Sequence, residues 1–117
     1  MDSPHHRYLS GLQQRELRYQ RCSACARTQF YPRTLCRHCG SAELDWLTSS
    51  GDGVVYSVTW LYAKDTPPSN IALIDVAEGF RMMSTVTGVP TDVPLIGRAV
   101  RAAIADDAVV RFELVAP

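Results

Sequence analysis

The hydrophobic pattern of the chain changes near residue 50. Beyond that point, β-branched and aromatic residues recur in short runs, separated by glycine, proline and aspartate. Such runs predict strands, and the residues between them predict turns. The predicted strands cover residues 54–62, 71–76, 80–87, 97–104 and 109–115. Five short strands with turns between them are typical of a small Greek-key barrel, so we predict a five-stranded OB-fold barrel over residues 48–117.

The first residues carry a helical pattern instead. Tyr8, Leu9 and Leu12 are spaced so that they fall on one face of a helix, although Gly11 weakens it. We therefore predict that residues 1–16 are a lead-in that contains one short helix.

Residues 17–47 form a third predicted region. Leu17 and Tyr19 lie on one side of an alternating segment, and Arg18 and Gln20 lie on the other, which predicts a strand. All the cysteines of the chain follow, as two C-x2-C pairs with ten residues between them: Cys22, Cys25, Cys36 and Cys39.

This cysteine spacing predicts a metal site. Two residues between cysteines let both thiolates of a pair reach one ion, and two pairs close a tetrahedral site. Thiolates are soft ligands that suit zinc or iron better than magnesium or calcium. Because four sulfur ligands leave no position open for water, we predict a structural Zn²⁺ ion. A rubredoxin-like iron centre for electron transfer is the alternative.

The charge of the chain argues against a nucleic-acid partner. Twelve basic and twelve acidic side chains give a formal net charge of zero. Residues 1–50 carry seven arginines and four acidic residues, whereas residues 51–117 carry five basic and eight acidic residues. An acidic barrel half lacks the basic face that a phosphate backbone requires. The arginines of the first half either meet an acidic partner or a phosphate group, or are simply solvated.

The expected location is the cytoplasm, without membrane association. No apolar run is long enough to cross a membrane, and residues 1–6 lack the apolar core of a signal peptide. In a reducing compartment, clustered cysteines indicate metal binding rather than disulfides.

No catalytic residue is predicted. The sequence has no glycine-rich phosphate loop and no G-x-S-x-G or H-E-x-x-H motif. With every cysteine assigned to the metal, no nucleophile is paired with a base.

Several segments together resemble a known family. They are residues 17–25, 31–32, 36–41, 51–59, 74–79 and 96–100. In sequence, order and spacing they resemble the OB-fold, zinc-ribbon acyl-CoA-associated proteins, formerly a domain of unknown function. The resemblance covers nearly the whole chain.

The resemblance implies both a fold and a role. Members of this family have a short N-terminal helix, a rubredoxin-like zinc ribbon and an OB-fold, and all four cysteines match their zinc ligands. They accompany thiolase-like enzymes, including aldolases, or acyl-CoA hydratases, as partner subunits that help to bind or channel acyl-CoA. The implied function is a non-catalytic accessory subunit, with a thiolase-like or aldolase enzyme and acyl-CoA as partners.

Two groups of residues are candidates for these contacts. Phe80 and Arg81 follow a predicted turn, and they either line a channel for the pantetheine arm of CoA or are a core residue and a solvated one. The stripe of Tyr8, Leu9 and Leu12 is too short to be stable alone, so it docks either on the partner enzyme or on this chain's own ribbon.

Two other functions compete with the accessory role. Zinc ribbons and OB-folds also occur in nucleic-acid-binding modules, but this alternative rests on analogy of fold alone. An autonomous acyl-CoA enzyme is the third hypothesis, and the missing nucleophile argues against it.

Overall fold

A computed structural model describes residues 3–115, and residues 1–2 and 116–117 of the predicted end regions lie outside the described part. The described residues are mostly β, with one short helix, as predicted. The elements in chain order are α1 (Pro4–Gln13), β1 (Arg18–Cys22), β2 (Thr28–Gln29), β3 (Leu44–Thr48), β4 (Asp52–Leu61), β5 (Ser69–Val76), β6 (Arg81–Ser84), β7 (Val86–Thr87), β8 (Ala99–Ile104) and β9 (Val110–Leu114).

Helix α1 begins with a favourable cap. The Ser3 hydroxyl accepts a hydrogen bond from the backbone N–H of His6 (3.1 Å), and Pro4 occupies the first helical turn, where its missing N–H costs nothing. Gly11 faces β1 so closely that a Cβ atom there would lie 2.6 Å from the side chain of Arg18. The glycine that weakens the helical pattern thus allows the helix to pack closely on the strand.

The ribbon sheet has the strand order β2-β1-β3, and all of its strands are antiparallel. Its central strand, β1, lies where the alternating pattern predicted a strand. Tyr19 and Gln20 point to opposite sides of β1, and both are buried. The alternation did not indicate that the polar side chain of Gln20 is buried.

The barrel sheet has the strand order β6-β5-β4-β8-β9-β7. The strand predicted over residues 80–87 is two strands, because it is interrupted at Thr85 between β6 and β7. As a result the first part pairs with β5 and the second pairs in parallel with β9. The two edge strands of this six-stranded sheet, β6 and β7, are therefore consecutive pieces of chain.

Apolar side chains fill the interior of the curled sheet. The largest of those that are almost fully buried are Val55, Ile74, Val86, Leu95, Val100 and Phe112. Strands β4 and β5 approach so closely at Gly53 that a Cβ atom there would lie 2.8 Å from Cγ2 of Ile74. Within residues 3–115, no helix is long and apolar enough to cross a membrane.

A carboxylate connects the ribbon with the barrel. Glu78, in the turn between β5 and β6, accepts hydrogen bonds from the Ser49 hydroxyl (2.5 Å) and the Ser50 N–H (3.1 Å). Both serines belong to the segment that connects β3 of the ribbon with β4 of the barrel. The carbonyl of Glu78 also accepts from the Thr28 hydroxyl of β2 (3.4 Å). Although burial raises the pKa of Glu78, the hydrogen bonds from Ser49 and Ser50 lower it below its ordinary value.

Candidate metal centre and adjoining cavities

The four cysteine sulfurs form one compact cluster. All of them lie within 4.8 Å of one another, with Sγ–Sγ distances of 3.6 Å for Cys22 and Cys39 and 3.7 Å for Cys25 and Cys36. A tetrahedral Zn²⁺ ion with bonds of about 2.3 Å separates its sulfur ligands by about 3.8 Å. The cluster thus has the size that a zinc ion requires.

The same backbone turn presents each cysteine pair. The N–H of Ala26 donates to the Cys22 carbonyl (2.8 Å), and the N–H of Gly40 donates to the Cys36 carbonyl (2.9 Å). Ala26 and Gly40 both have positive φ, of 64° and 79°. This conformation is strained for alanine but not for glycine, so only the second turn is marked clearly in the sequence.

Electrostatics also favours a cation at the cluster. Burial raises the pKa of the Cys36 thiol, but the N–H groups of Cys39 and His38 lower it, to about 6. The N–H of Ser41 lowers the pKa of Cys39, yet the neighbouring thiols, Cys22 first, raise it to about 12. Four adjacent thiols therefore do not all ionise until a cation balances their charge.

His38 lies beside the cluster rather than in it. Its backbone N–H donates to Sγ of Cys36 (3.4 Å), and its ring Nε2 donates to the Thr28 carbonyl (3.3 Å). The four cysteines already complete a tetrahedral set, which fits a closed structural zinc site.

A cavity of about 670 Å³ opens between the ribbon and the barrel. Arg21, Arg27 and Arg37 line it and are exposed, and none of them takes part in the ion pairs found within residues 3–115. We call this space the basic cavity. The carboxylate of Glu78 also lines it, but three guanidinium groups that form no ion pair leave the lining with a net positive charge, which suits an anionic ligand.

Phe80 and Arg81, the predicted channel residues, both line the basic cavity. Phe80 is almost fully buried and stacks between Tyr19 and Phe30, with ring centroids 5.1 and 5.5 Å apart. Phe80 therefore lines the cavity and is also a core residue, so both interpretations offered by the sequence describe its position.

Arg81 is exposed but held in place. Its Nε donates to Oδ1 of Asp75 (2.5 Å), and its guanidinium carbon lies 3.5 Å from the ring centroid of Tyr56. The ion pair with Asp75 and the cation–π contact with Tyr56 together fix the Arg81 side chain. No local pattern in the sequence indicates this role for Tyr56.

A second cavity, of about 440 Å³, adjoins the basic cavity and shares Phe30 and Arg81 with it. We call it the apolar cavity. Its other lining residues are Tyr8, Tyr31, Met82, Met83 and Val110. Burial, and to a smaller degree Tyr31, raise the pKa of Tyr8 to about 12, so its hydroxyl stays protonated at neutral pH.

The stripe of α1 packs mainly on its own chain. Tyr8 and Leu12 are buried, and the Tyr8 ring contacts the ring of Phe30 edge-on, with centroids 5.3 Å apart. Leu9 is 37% exposed. Of the three stripe residues, only Leu9 is left on the surface for a partner protein.

Two family models match the chain. The rubredoxin-like zinc ribbon domain of ChsH2 matches residues 9–45, and the C-terminal OB-fold domain of ChsH2 matches residues 46–105. The fold and the cysteine cluster define a zinc-ribbon, OB-fold protein. Within that class, the chain belongs to the ChsH2 family, which confirms the resemblance seen in the sequence.

Solved structures give the same fold. A chain of the Ltp2-ChsH2(DUF35) aldolase superimposes with a TM-score of 0.81 and 29% identity, covering 97% of this chain and 96% of that one. A DUF35 family protein of unknown function from Sulfolobus solfataricus superimposes with a TM-score of 0.74 and 21% identity, over 96% of this chain and 85% of that one.

A curated relative is much longer than this chain. A probable enoyl-CoA hydratase alpha subunit from Thermomonospora curvata is 33% identical over 97 residues, which are 80% of this chain. The chain spans about 30% of the length of that relative.

Proposed function

We propose that this chain is a non-catalytic accessory subunit of a thiolase-like or aldolase enzyme, and that it helps to bind the enzyme's acyl-CoA substrate. One similar chain comes from an aldolase whose name joins Ltp2 and ChsH2, and one relative is named as a probable enoyl-CoA hydratase subunit. Both names belong to proteins related to this chain by sequence or by fold.

The observation that carries the proposal is the junction of the two cavities. CoA thioesters have phosphate groups at one end and a largely apolar acyl group at the other. The basic cavity suits phosphates, the apolar cavity suits the acyl end, and both meet at Phe30 and Arg81. A ligand with both chemical ends is therefore a better match than a simple anion or a simple hydrocarbon.

The side chains have separate roles in this proposal. Arg21, Arg27 and Arg37 hold the phosphates through charge-assisted hydrogen bonds. Phe80 supports the wall where the pantetheine arm passes, and Arg81 is the polar contact at the junction of the cavities. The zinc ion holds the ribbon, and therefore its arginines, in place, while the partner enzyme supplies the reacting groups.

The partner proposal is tested by co-expression with a thiolase-like protein encoded near this one. The two chains should co-elute, and this chain should increase the partner's stability or its rate with acyl-CoA substrates. Separate elution, together with no change in stability or rate, would refute the accessory role. Leu9→Asp tests docking through α1, because it alters only the exposed stripe residue.

The ligand proposal is tested by calorimetric titration of the complex with CoA. Replacing Arg21, Arg27 and Arg37 by glutamine should weaken CoA binding by roughly tenfold or more, because charge-assisted hydrogen bonds contribute about 1.5–3 kcal/mol. Arg98→Gln is the matched control, since Arg98 lines neither cavity and forms no ion pair within residues 3–115. Equal affinities of the triple variant, the control and the unchanged complex would remove the basic cavity from the proposal.

A further inference from the structure

Two buried glutamines lie on the strands that flank the first cysteine pair, β1 and β2. Gln20 of β1 and Gln29 of β2 are directly paired in the sheet, and they are only 1% and 2% exposed. The amide of Gln29 donates from Nε2 to Oε1 of Gln20 (2.6 Å). Buried amides of this kind cost free energy unless each polar atom finds a partner.

Their remaining hydrogen bonds go to one loop. Gln20 accepts from the N–H of Arg33 (2.8 Å) and donates to the Arg33 carbonyl (2.7 Å). Gln29 accepts from the N–H of Arg37 (2.8 Å) and donates to the Leu35 carbonyl (3.4 Å). Cys36 lies within the segment that these bonds hold.

The loop depends on these side chains for partners. Residues 30–35 belong to no helix or strand, so no ladder of backbone hydrogen bonds positions them. Cys36, which follows them, is bonded through its N–H to the Ser41 carbonyl (2.8 Å). A glutamine amide both donates and accepts, which lets it replace a neighbouring strand. No buried side-chain nitrogen or oxygen is left unpaired in the part of the chain that the structure describes.

We propose that Gln20 and Gln29 are positioning residues of the metal centre. Cys22 is two residues beyond Gln20 on the same strand, and Cys36 is in the loop that the glutamines hold. The two glutamines therefore set the distance between the first and second cysteine pairs, so that all four sulfurs can bind one ion. Without these hydrogen bonds, the second cysteine pair, Cys36 and Cys39, can move away from the first, and zinc is released more easily.

The test is the rate at which the folded, zinc-loaded protein gives up zinc to a colorimetric chelator. Gln20→Met and Gln29→Met keep the length of the side chain and remove its hydrogen bonds. Zinc release should be roughly tenfold or more faster in both variants, because loss of a residue that orients metal ligands typically lowers metal affinity by about 10–100-fold.

Asn70→Leu is the matched control. Asn70 is also a buried amide, and it holds a backbone segment by donating to the Val86 carbonyl (2.8 Å) and accepting from the Val86 N–H (2.9 Å). It belongs to the barrel, so its loss should destabilise the protein without accelerating zinc release. Release that is unchanged in the glutamine variants, or that is equally fast in Asn70→Leu, overturns the proposal.

A measurement on the unaltered protein covers the case in which the glutamine variants do not fold. In the zinc-loaded chain, amide hydrogen exchange at Arg33 and Arg37 should be as slow as in β1. Exchange there as fast as in an exposed loop would contradict the proposal, because the glutamines would not then hold the loop.

Discussion

The ribbon and the barrel are stabilised by different kinds of interaction. Large apolar side chains fill the barrel, among them the fully buried Phe112, so the barrel is stabilised by the burial of apolar surface. The buried side chains of the ribbon include two thiols and two amides, Cys22, Cys36, Gln20 and Gln29, whereas its buried apolar residues Leu17 and Tyr19 belong to the core cluster that also contains the barrel residues. A small module with such an interior depends on directed bonds, to a metal and between polar atoms.

This difference predicts which perturbation each region tolerates. The ribbon should be sensitive to loss of a ligand or of a hydrogen bond and relatively insensitive to changes in apolar volume. The barrel should show the reverse.

Cys36→Ser should have the largest effect. It removes one thiolate, and apparent binding free energies of structural zinc are about 10–16 kcal/mol in isolated modules, so the ribbon should lose both its metal and its fold. Elemental analysis and near-ultraviolet circular dichroism measure the two losses. Ser23→Ala, a change inside the first cysteine pair that is not at a ligand, should keep one zinc ion per chain. Full zinc content in Cys36→Ser would show that the cluster is not the metal site.

Phe112→Ala should have the next largest effect. This side chain is fully buried in the barrel, and truncations of this kind cost about 3–5 kcal/mol. Urea unfolding should show the loss, while zinc release from the folded protein stays unchanged. Tyr62→Ala, at a residue that is 71% exposed, should alter the free energy of unfolding by no more than about 0.5 kcal/mol. A cost below that of Tyr62→Ala would contradict the described core.

Glu78→Gln should have a small effect that depends on pH. The pKa of Glu78 is lowered in the folded protein, so its ionised form stabilises the fold fully above the ordinary value of about 4.3. That contribution is lost as the pH falls through the lowered pKa. We expect Glu78→Gln to cost about 1 kcal/mol at pH 7 and less at pH 3, as measured by urea unfolding. An equal cost at both pH values would mean that the carboxylate charge has no part in joining the ribbon to the barrel.

Much of the architecture was predictable because its signals are local. Two residues between cysteines suffice to identify a metal pair, and runs of β-branched residues identify the barrel strands. The break at Thr85 was not predictable, since both halves of that segment favour a strand. The strand is interrupted there because its two halves pair with different strands, β6 with β5 and β7 with β9.

The polar parts of the site were harder to predict. In the sequence, Gln20 and Gln29 look like ordinary surface residues, because nothing local shows that a loop lies over them. The contact of Arg81 with Tyr56 was unpredictable for the same reason, since residues 25 positions apart meet only in the folded sheet. The Tyr8 and Leu12 side chains were correctly predicted to share one face of a helix, but the pattern did not decide which surface that face contacts.

The parallel pairing of β7 with β9 has a consequence for synthesis on the ribosome. Strand β9 lies between β7 and β8, so the barrel sheet is incomplete until residue 114 has been made. The three strands and four cysteines of the ribbon all lie between residues 18 and 48. At about 5–20 residues per second, the 66 residues from 49 to 114 take about 3–13 s to synthesise. The growing chain therefore contains the complete ribbon, with all four zinc ligands, for several seconds before the last barrel strand has been made.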